Sequence, residues 1–245
     1  MRNIIKGAVL SISLLSSAVA MAAGMVPETS LLLVNEDEHG ASMDVKNTDE
    51  QAQLLYTKII NLPDDTSGPE LIVTQPVVRV EGGKIQRVRF VLKDAAQKMN
   101  VEHLKRVVFS AIPQMEKNKV KMLFTQNLPV IIRPADLAPM ADPWKDLSWS
   151  LQAGNVVVKN DTPYVVRLEQ NVKVLPSGTI QKLDKTYILP GQKMTAKPQK
   201  MAANATDKKV EFYPATRYGY KVDKFIADIN KTVTDAALKK EQGTH

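Results

Sequence analysis

Short runs of alternating apolar and polar residues recur along most of the chain, and residues typical of turns separate them. Successive side chains of a β-strand point to opposite faces, so this alternation indicates strands that each bury one face. The strands predicted in the first half are Thr29–Asn35, Ala41–Asn47, Gln51–Leu62, Leu71–Val80, Lys84–Leu92, Arg106–Ile112 and Lys119–Pro134. Those predicted in the second half are Leu147–Gln152, Val156–Asn160, Tyr164–Val174, Ile180–Leu189, Met194–Pro198 and Val210–Tyr213. Short strands with turn signals about every ten residues predict an all-β protein with two immunoglobulin-like β-sandwich domains.

Three segments depart from regular alternation. Ile85 is out of phase with Val88 and Phe90 on the same predicted strand, which favours a β-bulge. The segment Asp94–His103 has the spacing of a helical turn. The final segment, Lys221–His245, mixes both periodicities, and we expect its last residues to fray.

The stretch Lys119–Pro134 reads KVKMLFTQNLPVIIRP and has a mainly apolar face formed by Val120, Met122 and Phe124. Pro129 cannot donate a backbone hydrogen bond, so this strand belongs at a sheet edge or at a bulge. A long apolar edge invites pairing with another chain unless it is protected. Alternation alone does not decide whether this face binds another chain or packs in the protein's own core.

The chain begins with the layout of a secretory signal peptide. Two basic residues precede an apolar run that ends near Val19, and cleavage is expected after Ala20 or Ala22. An uncleaved membrane anchor is the alternative, but the apolar run is short for a bilayer span. The Pro- and Asp-rich stretch Arg133–Asp146 has the composition of a linker. We therefore predict a signal peptide at residues 1–22, a first sandwich at 23–134, and a second sandwich with a flexible tail at 135–245.

Charge and composition exclude several classes of protein. Without Arg2 and Lys6, the remaining 31 of the 33 Lys and Arg residues exceed the 26 Asp and Glu residues by 5. This excess is modest and spread out, which does not indicate a nucleic-acid-binding protein. No second long apolar run follows the signal peptide, so we predict no membrane insertion.

The sequence offers little for catalysis. Cys is absent, which excludes thiol catalysis and Cys-ligated metal, and the three histidines, His39, His103 and His245, lie far apart along the chain. A Ser/His/Asp triad needs proximity only in space, but neither a G-x-S-x-G element nor a Gly-rich phosphate loop occurs. The Asp and Glu clusters lie in predicted turns, where such residues are frequent. We predict no enzyme, metal site or cofactor.

Several segments resemble, in order and spacing, the PapD-like periplasmic chaperones of the chaperone–usher pilus pathway. The resemblance covers nearly the whole chain after the signal peptide. The matching segments are Thr74–Phe90 (TQPVVRVEGGKIQRVRF), Phe109–Gln114 (FSAIPQ), Ile132–Leu137 (IRPADL), Trp144–Leu147 (WKDL) and Asn160–Val165 (NDTPYV). The short segment Gln114–Asn118 is similar to that of the short-loop subclass, which typically lacks the disulfide of its long-loop relatives.

The resemblance implies two immunoglobulin-like domains in an L or boomerang arrangement that bind, fold and cap pilus (fimbrial) subunits in the periplasm. It also implies delivery of those subunits to an outer-membrane usher. Each subunit is an incomplete sandwich, and the chaperone lends it the last strand of its own first domain, which is a case of β-augmentation. Matching backwards from Arg133 places five residues at subunit-binding positions: Val120, Met122, Phe124, Gln126 and Leu128.

The chain also departs from the family pattern. The family anchors the subunit's terminal carboxylate with an Arg and a Lys, and these positions hold Leu31 and Pro129 here. That anchoring is therefore not carried over. The polar groups left near the cleft are Gln126, Asn127 and Arg133.

Only part of an internal ion network of the family has matching residues here. Its arginine and one carboxylate match Arg133 and Glu102, which predicts a structural ion pair between them. The position of the third carboxylate holds Arg217. A buried Arg133 without a partner would be costly, which favours the contact with Glu102.

The alternative function is that of a structural surface protein, such as a pilin-like or adhesin-like module. A self-standing pilin would carry a polymerising N-terminal extension and one domain. Here Leu31–Val34 directly begins a sandwich, and two domains follow. The sequence therefore favours a chaperone.

Overall fold

The structure is a computed structural model that describes residues 24–93, 98–113, 124–204, 206–216 and 223–232. Its first nine strands are β1 Met25–Pro27, β2 Leu32–Asn35, β3 Gly40–Asn47, β4 Gln53–Asn61, β5 Leu71–Val73, β6 Val77–Val80, β7 Ile85–Leu92, β8 His103–Pro113 and β9 Thr125–Arg133. A short 3₁₀ helix follows at Pro143–Asp146. The remaining strands are β10 Ser148–Gln152, β11 Asn155–Lys159, β12 Val166–Leu168, β13 Asn171–Leu175, β14 Ile180–Lys182, β15 Tyr187–Ile188, β16 Lys193–Thr195, β17 Lys197–Pro198, β18 Lys209–Phe212, β19 Pro214–Ala215 and β20 Phe225–Thr232.

The first nine strands form one sheet in the order β5-β7-β3-β2-β9-β8-β4-β6, with β1 paired to β3. Strand β2 joins the two layers, because it pairs in parallel with β9 over four residues and meets β3 at a single residue pair. The layers enclose a core that includes Val34, Val107 and Phe109. The fold is thus an immunoglobulin-like sandwich in which β9 lies between β2 and β8.

The second sandwich has an eight-stranded sheet in the order β16-β11-β10-β20-β18-β13-β14-β17 and a small sheet in the order β15-β12-β19. Its core packs Trp149 against Phe212, whose ring centroids lie 4.8 Å apart. Strand β20 belongs to the segment Lys221–His245, whose sequence mixes strand and helix periodicities, yet it lies in the middle of the larger sheet. Parallel pairing with β10 and antiparallel pairing with β18 hold it there.

The all-β prediction is confirmed, with corrections to individual elements. The β-bulge expected at Ile85 is wrong, because β7 pairs with β3 in continuous register from Val91 to Ile85. The Ile85 side chain is simply exposed. The part of the predicted helical turn that the structure describes, residues 98–103, contains no helix. Three long predicted strands each appear as two shorter ones, and the break at Pro76 separates β5 from β6.

The two sandwiches are in direct contact. Leu31, Leu104 and Ile131 of the first pack against Val165 and Leu189 of the second in a separate apolar cluster. The cluster buries the inner end of β9 between the domains.

The turn Asn160–Val165 positions the second domain's side of this contact. The buried Asn160 amide donates to the carbonyl oxygens of Tyr164, at 2.7 Å, and Ile188, at 3.1 Å, and its Oδ1 accepts a hydrogen bond from Thr162. These hydrogen bonds fix the turn to β15. Val165, the last residue of the turn, is thereby held against the first sandwich. The Asn-x-Thr-Pro-Tyr pattern therefore has a structural cause.

A polar contact adds to the apolar cluster. The Asp64 carboxylate of the first sandwich accepts hydrogen bonds from Lys185 Nζ at 2.6 Å and Tyr187 Oη at 2.9 Å. Burial would raise the pKa of Asp64, but the hydrogen bonds from Lys185, Tyr187 and Gln192 together lower it. Burial and the Asp64 hydrogen bond raise the pKa of Tyr187 to about 12.

Replacing Asp64 with asparagine is expected to lower the free energy of unfolding at pH 7 by about 1 kcal/mol, because a partly exposed, charge-assisted contact with Lys185 is lost. Folding lowers the pKa of Asp64, so ionised Asp64 stabilises the folded protein. This stabilisation is complete at pH values above the pKa of Asp64 in the unfolded chain, near 4, and is lost as the pH falls through its pKa in the folded protein. The difference between wild type and variant should therefore vanish in acid. Urea unfolding across this pH range measures it, with Asp161→Asn, in an exposed ion pair with Lys159, as the control. An equal difference at all pH values would contradict the assignment.

Candidate functional site

Strand β9 has one incompletely paired edge. It pairs with β8 over all but its last residue, from Ser110↔Thr125 to His103↔Ile132. On the other side, β2 begins only at Leu32↔Val130. Residues Thr125–Pro129, called the free edge below, therefore have no strand partner on that side within the described part of the chain.

The phase of the β8–β9 pairing shows which backbone groups the free edge presents. The Ala111 N–H donates to the carbonyl oxygen of Phe124, the residue opposite it, one position beyond the pair Ser110↔Thr125. In an antiparallel ladder, this directs the backbone groups of Thr125, Asn127 and Pro129 away from β8. The backbone nitrogen of Pro129 therefore points away from β8, and its missing N–H removes no hydrogen bond between β8 and β9. This agrees with the edge position predicted from the sequence.

The side chains of β9 pass gradually from the protein's own core into solvent. Val130 and Ile132 are fully buried in the first core, and Leu128 packs against it at partial exposure. Two residues further towards the start of the strand Gln126 is exposed, and Phe124 is 42% exposed although it is aromatic. The face predicted to be apolar therefore continues the core-facing side of β9 beyond the end of the core.

These observations locate part of the predicted subunit-binding set. Phe124, Gln126 and Leu128 share one face, on which Phe124 and Gln126 are exposed and Leu128 is partly buried. Val120 and Met122 lie outside the described residues. Leu128 also packs against the core of the first sandwich, so its predicted place in the binding set is shared with a structural contact.

A cleft of about 230 Å³ opens between the sandwiches at the inner end of the free edge. Leu104 and Pro129 of the first sandwich and Tyr187 and Pro214 of the second line part of its wall. Leu31, which the sequence resemblance aligns, like Pro129, with a cation, is buried in the apolar cluster between the domains. Leu31 and Pro129 therefore offer no charged group to the cleft.

Two cations that the sequence patterns did not reveal line the same cleft. Arg106 of β8 donates from Nε to Asn127 Oδ1 at 2.8 Å and from Nη2 to the Asn127 carbonyl oxygen at 2.6 Å. Arg167 of β12 reaches the cleft from the second sandwich. Burial lowers the pKa of Arg106, and burial together with the charge of Arg106 lowers the pKa of Arg167. Asn127, predicted near the cleft, is thus the residue that holds Arg106 in place.

Glu102 joins the two domains through hydrogen bonds beside the apolar cluster. The Glu102 side chain is buried, and its Oε2 accepts a hydrogen bond from the Val165 N–H at 2.9 Å. The backbone N–H of Glu102 donates to the Pro163 carbonyl oxygen at 2.8 Å. The ion pair of Glu102 with Arg133 stays a prediction, and Arg217 lies outside the described residues.

The described residues contain neither a metal site nor a membrane-spanning helix. No group of three or more His, Cys, Asp or Glu side chains there is arranged to hold a metal ion. No helix of that part combines the length and hydropathy that a membrane crossing requires.

Comparison with known proteins gives matches along most of the chain. The family model of the pili and flagellar-assembly chaperone, PapD N-terminal domain, matches residues 24–138. That of the pili assembly chaperone PapD, C-terminal domain, matches residues 142–226. Among curated proteins, the chain is 44% identical over 216 residues to the uncharacterized fimbrial chaperone YhcA of Escherichia coli strain K12, covering 87% of this chain and 94% of that protein. It is 28% identical over 187 residues to the probable fimbrial chaperone protein ElfD of the same strain, covering 72% and 80%.

Solved structures give the same fold at low sequence identity. The E. coli chaperone DraB matches with a TM-score of 0.67 at 18% identity, over 84% of this chain and 99% of that one. A chain of the Salmonella enterica SafA pilin–SafB chaperone complex matches with a TM-score of 0.68 at 19% identity, over 85% and 98%. With both domain models matched in order and a fimbrial chaperone 44% identical over most of its length, the chain belongs to the PapD-like family of pilus-assembly chaperones.

Proposed function

We propose that this protein binds pilus (fimbrial) subunits and completes their folds by lending them β9 as an additional strand. The observation that carries the proposal is the combination found at the free edge. Backbone groups without a strand partner lie beside a face whose side chains pass from the core into solvent at Phe124. An added strand uses the backbone groups for affinity and the alternate side chains for specificity.

The energetics favour a partner that is itself incomplete. An exposed edge next to an exposed aromatic residue is an aggregation hazard unless it is covered. Burying one large apolar side chain contributes roughly 1.5–3 kcal/mol. A subunit that lacks one strand of its sandwich offers an apolar groove for Phe124 and a strand edge for Thr125 and Asn127.

The family's role is chaperoning, which is not an enzymatic role, and the exchange of one strand for another needs no cofactor. Export follows from the proposed signal peptide at residues 1–22, which places the protein in the periplasm. Handover to an outer-membrane usher completes the proposed path.

Purification of the tagged protein from the periplasm of its own host tests this function. We expect a fimbrial subunit to co-purify in a one-to-one complex, and we expect the gene deletion to abolish surface fimbriae. N-terminal sequencing of the same sample should give a chain that begins after Ala20 or Ala22. Purification of the chaperone alone, together with normal fimbriae in the deletion strain, would refute the proposal.

A further inference from the structure

Phe124 is only partly exposed, although it lies at the outer end of the face that β9 presents. Leu128 packs against the first core, and the next residue outward on this face, Gln126, is exposed. Phe124 lies two residues further out, yet only 42% of it is exposed. Contacts at this end of the sandwich therefore cover more than half of Phe124.

Gly24 supplies one of these contacts. A Cβ atom placed on Gly24 would lie 3.5 Å from Phe124 Cβ and 4.0 Å from Phe124 Cγ. An alanine methyl group would just touch the Phe124 side chain, and a larger side chain would compete with it for space. The φ angle of Gly24 is +154°, a conformation that residues with a Cβ rarely adopt. Both the space and the backbone conformation therefore favour glycine at this position.

Thr48 fixes Gly24 in place. Thr48 Oγ1 accepts a hydrogen bond from the Gly24 N–H and donates one to the Gly24 carbonyl oxygen, each at 3.0 Å, and the Thr48 N–H donates to the same carbonyl oxygen at 2.9 Å. The neighbouring Asn47 is fully buried, and its amide donates to the carbonyl oxygens of Gln51 and Val80. The turn that holds Gly24 is thus anchored in the sandwich. The proposed signal cleavage leaves Gly24 near the start of the mature chain, where residues are poorly ordered unless they are tied down.

The backbone of Phe124 is held as well. Its carbonyl oxygen accepts a hydrogen bond from the Ala111 N–H of β8 at 3.2 Å. Strand β8 thus holds the backbone of Phe124 while Gly24 limits where its side chain can lie. A side chain that occupies one rotamer before binding loses less conformational entropy when a partner buries it, which raises affinity about two- to tenfold.

We propose that Gly24, fixed by Thr48, is a positioning residue for subunit capture. It holds the Phe124 side chain in the conformation in which this side chain enters the groove of the bound polypeptide. The identity of that polypeptide as a fimbrial subunit rests on the proposed function, whereas the fixing of the Phe124 side chain in the free protein does not.

Nuclear magnetic resonance of the free mature chain, with labelled phenylalanine, tests the fixing of the side chain without a subunit. In the wild-type protein, the χ1 couplings of Phe124 should report one rotamer, and its ring should show a cross-relaxation signal to the Gly24 α-protons. A chain that begins at Met25 lacks Gly24 and should show rotamer averaging at Phe124. Thr48→Val, which removes the hydroxyl group, should increase the averaging, whereas Thr48→Ser should preserve the single rotamer. Averaging in the wild-type protein, or an unchanged rotamer in the chain that begins at Met25, would overturn the proposal.

A double-mutant cycle on subunit affinity separates positioning from general stability. Thr48→Val should weaken binding of the captured subunit about two- to tenfold. The loss should disappear in a Phe124→Ala background, because no ring is left to position. Equal losses in both backgrounds would assign Thr48 to stability alone and overturn the proposal. Tighter capture by Thr48→Val would mean that Gly24 competes with the groove for the ring, which would overturn it too.

The two experiments together distinguish this proposal from the proposed function. If Phe124 has one rotamer that depends on Gly24 but no subunit is captured by the wild-type protein, the contact stands and the proposed function fails. If a subunit is captured although Phe124 is averaged in the free protein, the proposed function stands and the positioning role of Gly24 fails.

Discussion

Phe124→Asp is expected to abolish subunit capture while leaving the free chaperone folded. Phe124 is 42% exposed in the free protein, so a carboxylate at this position remains hydrated. In the complex, the same substitution loses the burial of a large apolar side chain and places an unpaired charge in an apolar groove. Together these effects cost about 3 kcal/mol or more, which corresponds to roughly a hundredfold loss of affinity. Pull-down of the subunit and thermal unfolding of the free variant measure the two sides.

Two control variants separate the donor face from a general effect of charge. Thr125→Asp changes the adjacent residue, whose side chain lies on the opposite face and contacts Ser110 at 3.2 Å. Ile85→Asp places the same charge on another exposed apolar residue, on β7. Both variants should capture the subunit better than Phe124→Asp. Unfolding of the isolated Phe124→Asp protein would instead assign this face to its own core.

Glu102→Ala is expected to lower the free energy of unfolding by about 3 kcal/mol and to loosen the contact between the domains. The substitution leaves the buried Val165 N–H without the acceptor that now lies 2.9 Å away. An unsatisfied buried donor costs about 1–3 kcal/mol, and loss of a charged partner in a buried network adds to this. Calorimetry should show a lower melting temperature, and small-angle scattering should show a wider range of interdomain distances.

Glu102→Gln is the matched variant, because its amide oxygen can still accept the Val165 hydrogen bond. If Glu102 also pairs with Arg133, as we predict, the glutamine variant should lose part of the stability as well. If Glu102→Gln is as stable as wild type, the predicted ion pair with Arg133 is wrong, and the hydrogen bond to Val165 alone accounts for the role of Glu102. Wild-type melting of Glu102→Ala would contradict the role of this side chain in joining the domains.

Alternation in the sequence predicted the strands well where one face is buried and the other is in water. It failed where both faces are covered or where the context is set by distant segments. Strand β20 is the clearest case, since its neighbours β10 and β18 come from elsewhere in the chain and determine its place. Ile85 failed for the opposite reason, because an exposed isoleucine disturbs the pattern without changing the backbone.

The candidate site divides in the same way. The edge position of Pro129 follows from local chemistry, namely the missing N–H, and was predictable. The arginines of the cleft were not, because Arg106 and Arg167 are 61 residues apart and meet only when the two domains pack together. The signal available in the sequence was a charged residue inside each strand pattern, namely Arg106 in RVVF and Arg167 in VVRL. A solvated face explains such a residue equally well.

Backbone amide exchange along β9 tests the central claim, that the free edge receives a strand of the subunit. The pairing phase places the N–H groups of Thr125 and Asn127 on the free side and those of Gln126 and Leu128 on the β8 side. In the free protein, Gln126 and Leu128 should exchange slowly, and Thr125 and Asn127 should exchange fast. In a one-to-one complex with the captured subunit, we predict that Thr125 and Asn127 become protected, because they now donate to the added strand. Fast exchange of both amides in a stoichiometric complex would contradict strand addition at this edge.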